Sequence, residues 1–250
     1  MKKIYFLSDA HLGSRAITYG RKQERRLVAF LDSVKEDAAA IYLLGDMFDF
    51  WFEYRTVVPK GFTRFLGKLS ELSDSGVEVH YFTGNHDLWC GDYLMRECGV
   101  MIHREPYVTM IYGKEFYLAH GDGLGDPDKK YRFLRCIFHN VTLQKLFAAI
   151  HPRWAVDFGL TWAKHSRYKR ENGEELPYQG QEGEYLVRYS KRYLETHPQI
   201  NYFIYGHRHI ELDLMVTPLC RVLLLGEWIQ LCTYAEYDGT TLTLKRFVEG

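Results

Sequence analysis

The chain has 250 residues, and its 32 basic and 32 acidic side chains cancel, so no global field draws it to nucleic acid or an anionic membrane. With 46% hydrophobic and 16% aromatic residues, that length supports one large domain, or one domain carrying an inserted cap. Five cysteines, odd in number and without a CxxC pair, fit a reduced, cytoplasmic protein better than a disulfide framework.

The start, Met1-Lys2-Lys3 followed by Ile4–Leu7, is apolar only until Asp9. That run is too short for the core of a signal peptide and reads as a buried first strand. A helical spacing follows over Gly20–Val34, then a strand over Ile41–Leu44, a helix over Gly61–Ser73 and a strand over Val77–Phe82. Such alternation predicts an α/β sheet whose strand C-termini carry the site. Tyr107–Ile111 and Phe116–Ala119, joined through Tyr112-Gly113-Lys114, read as a hairpin. The region from about 126 to 196 is helical in pattern and rich in Arg, Lys, Trp and Tyr, as expected of an insertion covering the site. Strands are expected again at Tyr202–Tyr205, Arg221–Leu225, Cys232–Tyr237 and Thr241–Phe247, the last two turning at Asp238-Gly239. No apolar run approaches the roughly 18–20 residues that cross a bilayer.

Five short motifs each follow a strand-like run: Asp9-Ala10-His11, Gly45-Asp46-Met47-Phe48-Asp49, Gly84-Asn85-His86-Asp87, Ala119-His120-Gly121-Asp122 and Gly206-His207-Arg208-His209. Alone, each is weak, since an Asp-x-His is more often a surface turn than a metal site. Together, in order and at strand ends, they are hard to explain as structure alone. Two divalent cations about 3.5–4 Å apart repel each other and need a bridging anion plus further nitrogen and oxygen ligands. Aspartate bridges; asparagine and histidine complete each shell without excess negative charge. That ligand set suits Mn, and also Fe, Zn, Mg or Co.

The set resembles the calcineurin-like metallophosphoesterase superfamily, with its D-x-H, G-D, G-N-H-D, later H and G-H-x-H pattern spread here over residues 9–209. The resemblance implies two mixed β-sheets sandwiched between helices. It also implies one metal on Asp9, His11, Asp46 and His209, and a second on Asp46, Asn85, His120 and His207, with Asp46 bridging. His86 would sit at the leaving oxygen as a proton donor or charge stabiliser, oriented by Asp87. Asp49 stands either as a partner behind a ligand or as a solvated loop carboxylate.

A closer resemblance lies in the flanking segments. Leu43–Trp51, His120-Gly121-Asp122 leading into Lys129–Arg135, Ala163–Arg167 and Leu225-Gly226-Glu227-Trp228 are similar to the UDP-2,3-diacylglucosamine diphosphatases of lipid A synthesis. This implies hydrolysis of an amphipathic sugar-nucleotide lipid to UMP and 2,3-diacylglucosamine 1-phosphate, with contact at the cytoplasmic face of the inner membrane. Trp154 and Trp162 would then help line a chamber for acyl chains, and Asp122, Lys164, Ser166, Arg167 and Arg170 would meet the polar part. The plainer reading makes these aromatics the packing of a helical cap and the charges its solvated face. The best-known branch reads G-N-R-D in the third motif, where this chain has His86, and Glu227 replaces that family's aspartate. Two other functions stay open: a broad phosphodiesterase acting on soluble esters, and a metal-binding scaffold without catalysis. No nucleic-acid partner is expected, and the oligomeric state is not legible.

Overall fold

The computed structural model describes residues 1–125, 129–169, 178 and 180–249. The first sheet holds β1 (Lys3–Leu7), β2 (Ala38–Leu44), β3 (Glu78–Phe82) and β4 (Met101–His103) in parallel. It is extended beyond β1 by antiparallel β10 (Thr233–Tyr237) and β11 (Leu242–Arg246). The second sheet runs β5 (Tyr107–Ile111), β6 (Lys114–Ala119), β7 (Ile200–Tyr205), β9 (Cys220–Leu225), β8 (Glu211–Thr217), with a parallel centre and antiparallel edges.

The two-residue period of the strands divides the core. In β1, Tyr5 and Leu7 face helices α1 (Gly20–Val34), α2 (Thr63–Asp74) and α3 (Tyr93–Cys98), while Ile4 and Phe6 face the other sheet. Helix α1 answers with Leu27, Phe30, Leu31 and Val34, the i, i+3, i+4, i+7 stripe of a helix lying on a sheet. Between the sheets, Phe6 stacks on Tyr42 and on Phe116. The outer face of the second sheet is covered by α7 (Tyr185–Leu194), whose Leu186 and Val187 join Tyr117, Phe203, Tyr205 and Leu224. The layers are therefore helix, sheet, sheet, helix, as the sequence leads one to expect.

Within the expected insertion lie α4 (Lys129–His139), α5 (Val141–Ala148) and α6 (Pro152–Lys169). Helix α7, at the end of that region, packs on the second sheet. Helix α6 docks by a stripe of small residues: Ala155 and Ala163 are buried, and Gly159 between them abuts the Phe50 ring so closely that a Cβ would overlap it. Trp89 clasps the same region, donating Nε1–H to the Phe138 carbonyl at 3.0 Å and packing against the rings of Phe50, Phe52 and Phe147. Among the described residues, no helix is long and apolar enough to cross a membrane.

Strand β3 and its edge neighbour β4 carry a histidine pair, His80 Nδ1 to His103 Nε2 at 2.9 Å, packed among the rings of Tyr42, Phe82 and Tyr107. Burial pushes both imidazoles down, His103 to about 4, with His80 adding to the effect. A depressed histidine lets the unfolded chain bind a proton that the folded chain refuses, so stability falls as pH drops from about 6.5 toward 4. Discounted for the partial exposure of His103, the pair accounts for about 1–2 kcal/mol over that range. Urea unfolding of metal-free protein at pH 7 and pH 4.5 checks this: the stability of His103→Gln should fall less steeply than that of the parent.

Candidate dinuclear metal centre

All five motifs leave the C-terminal ends of parallel strands β1, β2, β3, β6 and β7, and the chain turns sharply at each. Asp9 (φ 55°), His11 (45°), Asp46 (53°), His207 (67°) and His209 (53°) all adopt left-handed backbone conformations, which non-glycine residues enter at a cost. Cross-links between the loops hold them there. Asp9 N–H donates to the Gly45 carbonyl (3.0 Å), His11 N–H to Asp46 (2.9 Å), and Trp228 N–H to Asp9 (3.0 Å). Gly84 and Gly206 are required by close approach, since a Cβ at either would strike the carboxylate of Asp46 or Asp9.

The side chains of the candidate ligands converge. His11 Nε2 and His209 Nε2 lie 3.1 Å apart, and His209 Nε2 is 3.2 Å from Asp9 Oδ1. His120 Nε2 lies 3.3 Å from Asp46 Oδ2 and 3.3 Å from Asn85 Oδ1. Asp46 Oδ2 is also 3.8 Å from His11 Nε2, so this one carboxylate reaches both groups. Three overlapping clusters are able to hold a cation: Asp9, His11 and His209; His11, Asp46 and His86; and Asp46, His120 and His207. The donors fit two such ions on a physical ground as well. Asp9 Oδ1 and Asp46 Oδ2 are buried oxygens without a hydrogen-bond partner, a costly state that a cation relieves.

Protonation tells the same story. Burial works to raise the Asp9 and Asp46 carboxyls, yet the surrounding histidines (His209 at Asp9, His120 at Asp46) hold both well below the ordinary range. Burial would lower His120, but Asp46 reverses this and carries it up to about 10. In the metal-free chain a proton on His120 thus balances charge that metal would otherwise balance.

Behind these groups stands a supporting layer. His120 Nδ1 donates to the Leu44 carbonyl at 2.8 Å, leaving Nε2 as the candidate ligating nitrogen. His86 Nδ1 donates to the Asp49 carbonyl at 2.8 Å, so Nε2 is the nitrogen that would act at the candidate centre. The Asp49 carboxylate is buried, 3.3 Å from Nδ1 of the candidate ligand His11, and is not a solvated loop residue. One expectation is corrected. Asp87, expected to orient His86, instead accepts from the N–H groups of Asp46, Met47, Phe48 and Gly84 and from Tyr81 O–H, the last at 2.6 Å. A short carboxylate surrounded by backbone donors shapes the Asp46 loop. Glu227, the departure in the terminal motif, caps the N–H groups of Ile229, Gln230 and Leu231. Sequence reasoning did not find Glu184, whose buried carboxylate takes both Nε and Nη2 of Arg208 (2.9 and 3.2 Å), pinning the residue between His207 and His209.

Removing the Asp49 side chain separates two roles, because its backbone carbonyl still holds His86. Asp49→Ala is expected to weaken metal binding about 10–100-fold through His11. Competition with a fluorescent chelator measures it, and unchanged affinity would detach Asp49 from the centre.

The expected substrate residues are more scattered. Asp122 lies beside His120, accepting from Arg135 Nε at 3.0 Å, at the wall of a cavity of about 180 Å³. Trp154 and Trp162 are 68% and 50% exposed and, with Phe158 between them, form an apolar stripe along α6. Lys164 is exposed on the same helix. The side chains of Ser166 and Arg167, and residue Arg170, lie outside the described residues.

The sequence profile described as calcineurin-like phosphoesterase matches residues 2–211. The chain is 46% identical over 253 residues to the UDP-2,3-diacylglucosamine hydrolase of Porphyromonas gingivalis, covering 97% of each. It is 35% identical over 155 residues, 62% of each chain, to the protein of the same name from Neisseria meningitidis serogroup B. Among solved structures, a dimetal phosphatase from Danio rerio shares the fold, with a TM-score of 0.50 at 14% identity over 98% of this chain and 95% of that one.

Proposed function

The chain belongs to the calcineurin-like phosphoesterase family, and we propose that it hydrolyses the diphosphate of UDP-2,3-diacylglucosamine. The products are UMP and 2,3-diacylglucosamine 1-phosphate. The observation that carries this reading is the likeness along nearly the whole of both chains to the Porphyromonas gingivalis hydrolase, cap included. A family-wide centre alone would fit many phosphoesters; a shared cap narrows the substrate.

Asp9, His11, Asp46 and His209 would hold one divalent ion, and Asp46, Asn85, His120 and His207 the other, manganese being the proposed metal. When bound, such a pair lowers the pKa of water and neutralises charge on phosphoryl oxygens. The rest falls to the chain. Water adds to phosphorus and loses a proton to solvent, the P–O–P link breaks, and His86 delivers the proton carried on its Nε2 to the departing phosphate oxygen and is reprotonated from solvent. The loop carbonyl of Asp49 keeps that ring aimed.

The stripe of Trp154, Phe158 and Trp162 receives acyl chains, and Lys164 meets the anionic head. Phe133 and Leu146, 69% and 62% exposed on α4 and α5, extend the apolar surface of the cap. That surface supports docking of the protein on the cytoplasmic face of the inner membrane, where an acylated substrate resides. Incubation of the Mn²⁺-loaded enzyme with UDP-2,3-diacylglucosamine should release UMP in preference to turnover of bis-p-nitrophenyl phosphate. Robust cleavage of the soluble ester with no UMP released from the lipid would replace this substrate with a broad phosphodiesterase activity.

A further inference from the structure

The cavity beside His120 has a composition that the metal chemistry does not explain. It opens between the C-terminal ends of β3 and β6 and is bounded, beside His120, by Phe82, His103, Arg104, Glu105, Asp122 and Arg135. Crevices at such strand ends are where α/β sheets take ligands. An extra phosphate would call for cations alone, but here the carboxylates of Glu105 and Asp122 stand among the guanidinium groups and would repel an anion. An acyl chain would have to desolvate four charged groups, at a cost of several kcal/mol. A lining that mixes donors and acceptors suits a neutral group that itself both donates and accepts.

The cap supplies the complementary half of the argument. Its helix α6, which carries the apolar stripe, meets the centre from the His11 side: Arg15, four residues beyond His11, pairs with Asp157 and reaches Thr161 on α6, and Gly159 seats on Phe50 next to Asp49. His86, the proposed proton donor to the leaving group, is on that side too, edge-on to His11 with ring centroids 4.8 Å apart. The apolar stripe and the leaving oxygen therefore share the first-metal side. The polar cavity adjoins His120, on the second-metal side.

Resting on the proposed substrate, we infer that this cavity is the nucleoside subsite, holding the pyrimidine and ribose of the UMP portion while its phosphate lies at His120. A uracil edge alternates acceptor, donor and acceptor, and a ribose presents a vicinal diol. Arg104 and Arg135 supply donors, while Glu105 and Asp122 supply acceptors for both. The Asp122–Arg135 pair fixes one of each, and Arg104 is anchored by the carbonyls of Cys90 and Gly91 at 3.0 and 2.7 Å. The subsite thus exists before any ligand arrives, which lowers the ordering cost of binding.

Calorimetric titration of the Mn²⁺-loaded enzyme with UMP and with inorganic phosphate tests this without turnover. UMP should bind at least about tenfold more tightly than phosphate, a margin of about 1.4 kcal/mol that reports the nucleoside alone. In Glu105→Ala and Arg135→Ala, neither a candidate metal ligand, the margin should shrink to less than about threefold, with phosphate as the internal standard for the metal site. Equal affinity for UMP and phosphate in the parent would overturn the inference, and so would a margin that survives both substitutions. Failure of the substrate reading looks different: no UMP would be released from the acylated sugar nucleotide, whatever the margin.

Discussion

Replacing Asp46 by alanine is expected to reduce tightly bound metal from two ions to one or none, and turnover by about 10⁴ or more, the product of an acid–base and an electrostatic loss. The carboxylate is fully buried, and its two oxygens do different work. Oδ1 accepts the His86 backbone N–H at 2.8 Å, while Oδ2 faces His120 and His11. Alanine therefore removes the anion shared by both cation clusters and loosens the loop that carries His86. Four imidazoles, those of His11, His86, His120 and His207, would remain around an uncompensated space, where two cations repel each other. Elemental analysis after gel filtration counts the metals, and thermal unfolding of chelator-treated protein verifies the fold. Two ions retained at parent affinity would remove Asp46 from the bridging position.

The framework was legible wherever local pattern and burial agree. Gly20–Val34 is helical over the span its spacing indicates, because its apolar stripe faces a sheet that needs covering. Strands β1, β2 and β3 read as continuous apolar runs because helices bury one face and a second sheet the other. Two short elements, α3 and β4, gave too few residues to establish a period. Strand β8 carries a weaker signal, Leu212, Leu214 and Val216 alternating with Glu211, Asp213 and Met215, directly after the Gly206–His209 motif. The candidate ligands were legible because metal chemistry restricts residue types. Their support was not. Glu184 and Arg208 are 24 residues apart, and three of the four amides that Asp87 organises, those of Asp46, Met47 and Phe48, lie 39 to 41 residues from it, so no local pattern marks these contacts. Nor does sequence reveal that Asp9, His11, Asp46, His207 and His209 all turn left-handed. That strain persists only because neighbouring loops over-determine it.

Alanine at position 86 should separate the reaction from the metals. His86 touches the centre through a backbone N–H on Asp46 and an imidazole held by the Asp49 carbonyl. The substitution keeps the first contact, so both ions should stay while kcat falls about 10²–10⁴-fold, the usual weight of a positioned acid. Asp87→Ala should behave differently: four loop amides and the Tyr81 hydroxyl lose a buried acceptor, destabilising the fold by about 3 kcal/mol or more. A third variant resolves what His86 contributes. Arginine carries a permanent charge and gives up no proton at working pH. If His86→Arg recovers most of the loss, charge on the departing oxygen is what matters, and the basic limb of the kcat profile should disappear. If it remains as slow as the alanine variant, with both metals bound, the proton itself is the contribution. Parent turnover in His86→Ala would take the residue out of the reaction altogether.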